Sequence, residues 1–193
     1  MPDASDPPPP ERIEEAGPFT LANLITLARL CAVPATVWLV LKHEYQAAFL
    51  LFVAAGISDG IDGWLARRSH TRSALGAVLD PLADKSLLVS MYVTLALTGA
   101  LPDWLAILVV FRDVLIVGGV LVLTWAGSRP QINPIRSSKA NTVAQIALVA
   151  ATLAMMAYGM PPPAVTTALV WIVTATTIVS GAAYVIGAAR QPR

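Results

Sequence analysis

The sequence has little of the chemistry that soluble enzymes use most. Its 193 residues include one cysteine and two histidines. A single cysteine excludes a disulfide framework and any thiolate metal site. His43 and His70 both fall in expected loops, so a histidine-ligated metal or a Ser-His-Asp triad has almost no residues to work with.

Charge is scarce as well. Asp, Glu, Lys and Arg together make up 13% of the chain, whereas 56% of it is hydrophobic. That composition is too apolar for a soluble domain, and the alternating pattern of a transmembrane barrel is missing. A net charge of +1 gives no indication of nucleic-acid binding. The chain is therefore expected to be embedded in a membrane.

Six apolar stretches are long enough to span a bilayer, which takes about 20 residues each. They cover roughly 20–41, 46–67, 73–98, 103–126, 138–158 and 163–188. Residues 1–18 are acidic, rich in proline and without an apolar core, which is not the pattern of a cleaved signal peptide. The sequence predicts an all-α fold: an integral membrane bundle of six transmembrane helices over 19–193, after a disordered or surface tail over 1–18.

Basic residues are distributed unevenly between the two sides of these stretches. The loops on one side hold only Lys42, and three more cations lie within spans. The tail, the second–third loop, the fourth–fifth loop and the C-terminus hold nine: Arg12, Arg67, Arg68, Arg72, Arg129, Arg136, Lys139, Arg190 and Arg193. Cytoplasmic loops carry the excess of Lys and Arg. Both termini are therefore expected in the cytoplasm, with a bacterial inner membrane as the expected location.

Four carboxylates interrupt the second and third stretches. A charge within the hydrocarbon is costly unless it is paired, solvated or metal-bound, so such residues indicate function. On a helix, one face would carry Asp59, Asp62, Gly63, Ala66 and Arg67, and a second would carry Gly76, Asp80 and Asp84. Two acidic stripes on facing antiparallel helices make an oxygen-rich cage suited to Mg²⁺ or Mn²⁺.

The pattern D-x2-D-G-x2-A-R-x8-G-x3-D-x3-D is met at every fixed position from Asp59 to Asp84. It resembles the signature of the CDP-alcohol phosphotransferase family, integral membrane enzymes of phospholipid synthesis. The runs Asn23-x2-Thr26-x2-Arg29, Arg72–Gly76 and Ser138–Thr142 are also similar to the family. The resemblance covers nearly the whole chain from about residue 19.

The resemblance implies transfer of a phosphatidyl group from CDP-diacylglycerol to an alcohol, with release of CMP and with two bound Mg²⁺ or Mn²⁺ ions. It implies Asp59, Asp62 and Asp80 as metal ligands, and Asp84 as a further ligand or as the base that accepts the acceptor's proton. The implied nucleotide-binding residues are Asn23, Arg29, Asp62, Gly63, Ala66, Arg67 and Gly76. A homodimer is implied as well.

Cations outside the motif have two expected uses. Arg112 is expected to contact the phosphate of the acceptor or to support the site. Lys139 is expected either to contact that phosphate or to serve as an interfacial residue. Neighbouring residues point about 100° apart on a helix, so Arg112 and Asp113 are not expected to pair with each other. Lys85, which follows Asp84 directly, is expected in a structural ion pair.

The acceptor has two candidates. The runs Arg72–Lys85 and Ser138–Gln145 look most like cardiolipin synthases of the mitochondrial type, which use phosphatidylglycerol. Phosphatidylglycerophosphate synthases, which use glycerol 3-phosphate, share the signature. Relatives of that second kind tend to carry Gly-Lys-x-Lys-Thr where this chain has Ser-Lys-x-Asn-Thr. One cation fewer favours an acceptor with a single phosphodiester.

Other interpretations of the carboxylates stay open. They would also fit a structural salt-bridge cluster with Arg29, Lys85 and Arg112, but charge pairing does not require the small residues of the motif. A cation transporter would need a pathway to both faces, whereas the carboxylates lie toward one face. A non-catalytic scaffold leaves the intact motif unexplained.

Overall fold

The computed structural model describes the backbone of residues 21–69, 74–125 and 136–189, and the side chains of residues 27–58, 85–119 and 138–187. Within these residues the chain is all-helical, with no strand. Its helices are α1 (Leu21–Leu41), α2 (Tyr45–Ser69), α3 (Ala74–Leu97), α4 (Asp103–Trp125), α5 (Arg136–Tyr158) and α6 (Pro163–Ala189). Every boundary lies within two residues of its predicted position, so the all-α prediction is confirmed. The predicted tail over 1–18 lies outside the described residues.

Three short connections join the helices in pairs at one end of the bundle, which we call the loop end. They are residues 42–44, 98–102 and 159–162. The backbone adopts a left-handed conformation in each, at His43 (φ 62°), Gly99 (φ 75°) and Gly159 (φ 69°). Glycine suits this position after a helix because it has no Cβ to clash. The opposite end, where α2 ends and α3 and α5 begin, is called the motif end.

The helices pack so that α1 and α5 both bridge α2 to α3. Helix α1 contacts α2 and α3, α5 contacts α2, α3 and α6, and α4 contacts α3 and α6. On α3, buried apolar residues recur every four positions, at Leu87, Met91 and Leu95. This spacing places them on one face of the helix, where they form part of the buried core.

The outer surface of the bundle carries many large apolar side chains. Ile107 and Phe111 on α4 are 68% and 62% exposed. Among the described side chains, Ser138–Tyr158 and Pro163–Gly187 are long and apolar enough to cross a membrane, and only about a third and a fifth of them are buried. Helices that are apolar all round are found in the interior of proteins or in membranes.

Several threonine hydroxyls bond to their own helix. Thr36, Thr94 and Thr152 donate to the carbonyl oxygen four residues earlier, over 2.7, 2.7 and 2.8 Å. Such bonds satisfy a hydroxyl where no water is available. The pattern agrees with an apolar environment around these helices.

Candidate functional site

The acidic motif lies on two helices near the motif end. The backbone is helical from 59 to 69 in α2 and from 74 to 84 in α3. Positions 59, 62, 63, 66 and 67 therefore share one face of α2, and positions 76, 80 and 84 share one face of α3. The side chains of Asp59, Asp62, Asp80 and Asp84 lie outside the described ones.

Of the other residues predicted to bind the nucleotide, only one has a described side chain. The predicted nucleotide-binding residues whose side chains lie outside the described ones are Asn23, Gly63, Ala66, Arg67 and Gly76. Arg29 is described, and its side chain is buried, with 4% exposure, in the helix that bridges α2 to α3. The Arg29 side chain is therefore covered by protein; its role toward a nucleotide stays a prediction.

A buried charge cluster connects four helices beside the motif. Arg112 of α4 is 5% exposed, and its Nη1 donates to Asp113 Oδ1 over 2.7 Å. Its Nη2 donates to Ser138 Oγ of α5 over 2.8 Å and to Ser180 Oγ of α6 over 2.5 Å. Lys85 Nζ of α3 lies 3.1 Å from Asp113 Oδ2. We call these five residues the Asp113 network.

The contacts of the Asp113 network test two predictions made from the sequence. The structural ion pair predicted for Lys85 is confirmed, with Asp113 as its partner. The prediction that Arg112 and Asp113 do not pair with each other is wrong. The Cα–Cβ bonds of neighbouring residues point about 100° apart, but the long arginine side chain bends along the helix and brings its guanidinium to the neighbouring carboxylate.

The network also bears on the salt-bridge interpretation of the motif carboxylates. Two of the three cations that this interpretation requires, Lys85 and Arg112, are engaged by Asp113. A carboxylate that has two cationic partners leaves less positive charge for the four aspartates of α2 and α3. This observation favours metal binding over charge pairing for those aspartates.

Lys139 differs from Arg112 in its surroundings. It is exposed, and it directly follows Ser138, the α5 residue that Arg112 contacts. An exposed ammonium near the motif end is free of the network and accessible to an anion. Arg112 by contrast gives its two terminal nitrogens to protein oxygens, while its Nε is buried with no hydrogen-bond partner.

A second polar cluster, which the sequence reasoning missed, lies between α5 and α6. Asn141 is fully buried, and its Oδ1 accepts hydrogen bonds from Thr176 and Thr177 over 2.8 and 2.9 Å. Its Nδ2 has no partner, and the same is true of Nε2 of the buried Gln145. The available signal was the spacing of small polar residues: Ser138 and Asn141 on α5, and Thr177 and Ser180 on α6, are each three apart.

Metal binding is predicted for the acidic motif. Over the side chains that the structure describes, no three His, Cys, Asp or Glu residues come together. The metal assignments to Asp59, Asp62, Asp80 and Asp84 thus concern undescribed side chains and stay predictions.

Known proteins similar to this chain are named as cardiolipin synthases or as a phosphatidyltransferase. One is the cardiolipin synthase (CMP-forming)/mitochondrial hydrolase fusion protein of Schizosaccharomyces pombe, 35% identical over 87% of this chain and 31% of that protein. Another is the chloroplastic CDP-diacylglycerol–glycerol-3-phosphate 3-phosphatidyltransferase 1 of Oryza sativa subsp. japonica, 35% identical over 86% of this chain and 56% of that protein. A third is the cardiolipin synthase (CMP-forming) of Rattus norvegicus, 30% identical over 86% of this chain and 60% of that protein.

The chain spans between about a third and three fifths of the length of these relatives. The family model described as CDP-alcohol phosphatidyltransferase matches residues 19–179, which is most of the chain and includes the whole acidic motif. The family that the motif predicted is confirmed: the chain belongs to the CDP-alcohol phosphatidyltransferase family.

Proposed function

We propose that this protein transfers a phosphatidyl group from CDP-diacylglycerol to an alcohol and releases CMP. The observation that carries the proposal is the intact acidic motif on α2 and α3 of a chain that belongs to this family. The names of the similar proteins from Schizosaccharomyces pombe, Oryza sativa and Rattus norvegicus support it. Membership of a transferase family favours an enzyme over a cation transporter or a scaffold.

The residues of the motif fit a pair of hard divalent cations. Carboxylate oxygens are the ligands that Mg²⁺ and Mn²⁺ prefer, and the helical backbone gives the i, i+3 and i, i+4 spacing that gathers such oxygens. Asp59, Asp62 and Asp80 would hold the ions, with Asp84 as a further ligand or as the base. When bound, the ions would neutralise the diphosphate and stabilise the leaving CMP.

The chain's own residues then serve a single displacement at phosphorus. The acceptor hydroxyl oxygen forms a bond to the phosphorus that carries diacylglycerol, the anhydride bond breaks, and CMP leaves with the electron pair. Asp84 would take the hydroxyl proton. Arg67 would contact the nucleotide's phosphates, with Asn23 and Arg29 as further nucleotide contacts. Gly63, Ala66 and Gly76 would let the substrate and the facing helix approach closely.

Phosphatidylglycerol is our proposed acceptor. The Ser138–Gln145 run, with one cation fewer than in relatives that use glycerol 3-phosphate, favours an acceptor with a single phosphodiester. Lys139 is the exposed cation on this run and would contact that phosphate, while Arg112 would support the site from within the bundle. Glycerol 3-phosphate is the second candidate, because the rice relative is named for it and is as similar to this chain as the yeast one.

Purified protein in detergent should convert CDP-diacylglycerol and phosphatidylglycerol to cardiolipin and CMP when Mn²⁺ or Mg²⁺ is present. Labelled phosphatidylglycerol and labelled glycerol 3-phosphate are offered separately, and lipid products and CMP are measured together. Lys139→Ala should raise the KM for the acceptor roughly ten- to a hundredfold, because it removes a charge-assisted contact, with little change in the KM for CDP-diacylglycerol.

The matched control is Lys42→Ala, which removes an exposed cation at the loop end and should leave both KM values unchanged. Rapid formation of phosphatidylglycerophosphate without any cardiolipin would show that glycerol 3-phosphate is the acceptor. If neither acceptor leads to the release of CMP, the proposed reaction is contradicted.

We also propose that all six helices span the membrane, with both termini and the site on the cytoplasmic side. The apolar outer surface supports this, as do the exposed tryptophans Trp38, Trp104 and Trp171, since tryptophan is enriched at membrane interfaces. The Trp104 and Trp171 rings lie 6.0 Å apart on neighbouring helices. A homodimer is our proposal from the family, and the exposed apolar residues of α3 and α4 are the place to test it by cross-linking.

Cysteine labelling of intact cells or vesicles tests the orientation. In a Cys31→Ser background, Ser69→Cys should react with an impermeant maleimide only from the cytoplasmic side, and Thr98→Cys only from the outside. Thr98 is the better outer position because the neighbouring Gly99 has a φ of 75°, where a side chain would be strained. The reverse pattern would overturn the orientation deduced from the basic residues.

A further inference from the structure

The Asp113 network is a continuous chain of polar contacts that crosses four helices of a mostly apolar bundle. It begins on α3 at Lys85, crosses to Asp113 and Arg112 on α4, and ends on Ser138 of α5 and Ser180 of α6. Asp113 is its centre, because one carboxylate oxygen faces Lys85 at 3.1 Å and the other faces Arg112 at 2.7 Å. The network therefore fixes four helices relative to one another.

Two ends of the network adjoin residues with proposed chemical roles. Lys85 follows Asp84, the last carboxylate of the acidic motif, and Ser138 precedes Lys139. Consecutive residues of a helix are separated by a rise of about 1.5 Å along the axis and a rotation of about 100°, and the helical backbone holds this relation fixed. A contact that holds Lys85 toward α4 therefore sets the rotation of α3 at position 84, and a contact at Ser138 sets position 139.

The burial of the network agrees with a fixed geometry. The Asp113 side chain is 12% exposed and the Arg112 side chain 6%, so both have little access to water as an alternative partner. A carboxylate left unpaired in such surroundings is strongly disfavoured, which ties it to its cations. The Lys85 side chain is 42% exposed, so this end is the one at which the network is open to solvent.

We propose that Asp113 is a positioning residue, which acts through Lys85 and Arg112 to orient Asp84 of α3 and Lys139 of α5 for the transfer. This role rests on the proposed function. Stability alone does not account for the arrangement, because well-packed apolar residues stabilise a helix bundle as well as a buried ion pair does. The placement of the network beside the two reactive positions is what the positioning role explains.

The test compares Asp113→Asn, Lys85→Met and the double variant with the unaltered enzyme, each as the full chain in detergent below its unfolding temperature. Asp113→Asn keeps the shape of the side chain and removes its charge; Lys85→Met opens the network at its exposed end and covers the case in which the first variant does not fold. Each should lower kcat about ten- to a hundredfold, the range that a misplacement of about 1 Å produces. The KM for CDP-diacylglycerol should change less than threefold, and the double variant should be no worse than the single ones.

The matched control is Thr94→Val. It removes a buried hydroxyl from α3, the helix of Lys85, at a position outside the network, and it should keep kcat unchanged. A readout without substrate separates positioning from the reaction itself. In the Cys31→Ser background, Ala83→Cys beside Asp84 should react with a water-soluble maleimide at a rate that Asp113→Asn changes severalfold and Thr94→Val does not.

Unchanged kcat and unchanged labelling in both Asp113→Asn and Lys85→Met would overturn the positioning role. An increase confined to the acceptor KM, with kcat unchanged, would overturn the orientation of Asp84, because only Lys139 would then depend on the network. Absence of transfer by the unaltered enzyme with either acceptor would instead contradict the proposed function, and the labelling rates would still report whether Asp113 sets the rotation of α3.

Discussion

Asp59→Asn and Asp80→Asn should each abolish the metal-dependent binding of CDP-diacylglycerol. An amide cannot supply the negative charge of a carboxylate, so each substitution removes one anionic ligand from the proposed site for two divalent cations. Loss of metal assistance at a diphosphate amounts to several kcal/mol, on the order of a thousandfold in rate. Isothermal titration with CDP-diacylglycerol, with and without Mn²⁺, measures the binding, and CMP release measures the rate.

Asp84→Asn should behave differently. As the proposed base it is needed for the proton of the acceptor, so turnover should stop while more CDP-diacylglycerol binding remains than in the other two variants. The matched control is Asp103→Asn at the start of α4, an acidic residue at the loop end, which should leave binding and turnover unchanged. Full binding and activity in Asp59→Asn would rule out the metal cage and favour a structural role for these carboxylates.

Arg112→Ala should destabilise the protein by about 3–5 kcal/mol, as removal of one partner from a buried ion pair does. It deprives Asp113 of its nearer cation and leaves Ser138 and Ser180 without their shared donor. The change should lower the unfolding temperature by roughly 10 °C, since about 2–4 °C per kcal/mol is expected for a chain of this size. Intrinsic tryptophan fluorescence during heating in detergent provides the measurement.

Two variants control this result. Lys139→Ala removes an exposed cation next to Ser138 and should leave the unfolding temperature within about 1–2 °C of the unaltered protein, as exposed charges contribute little. Arg112→Lys keeps the charge but loses the two-nitrogen fork, so its stability should fall between the two. Equal unfolding temperatures for Arg112→Ala and Lys139→Ala would contradict the buried network.

The helices could be predicted from the sequence because their signals are strong and local. Long apolar runs end at residues that stop a membrane helix, such as Lys42 with His43 and Glu44, or Gly99, or Gly159 before three prolines. The partner of Lys85 was harder to predict. The need for an ion pair followed from its position within an apolar run, next to Asp84, whereas the identity of the partner depends on how α3 and α4 pack. Asp113 is 28 positions away in sequence, and no local pattern points to it.

The hydroxyl and amide contacts were beyond prediction for a related reason. Thr176, Thr177 and Ser180 lie in an apolar helix in which small polar residues are ordinary, since each hydroxyl also has the option of its own backbone. Only the packing of α5 against α6 selects Asn141 and Arg112 as their partners. The acidic motif was recognised in full because its residues have fixed positions along the chain; the contacts that its side chains make remain predictions.

The connections of three to five residues at the loop end divide the molecule into three hairpins, α1–α2, α3–α4 and α5–α6, each packed along its own length. The two halves of the acidic motif belong to different hairpins, and so do Lys85 and Ser138. Helix α1 also packs on α3 of the neighbouring hairpin, so contacts between hairpins add to the tight turns in holding the bundle together. A separation of the first hairpin from the second would therefore also separate the two halves of the acidic motif.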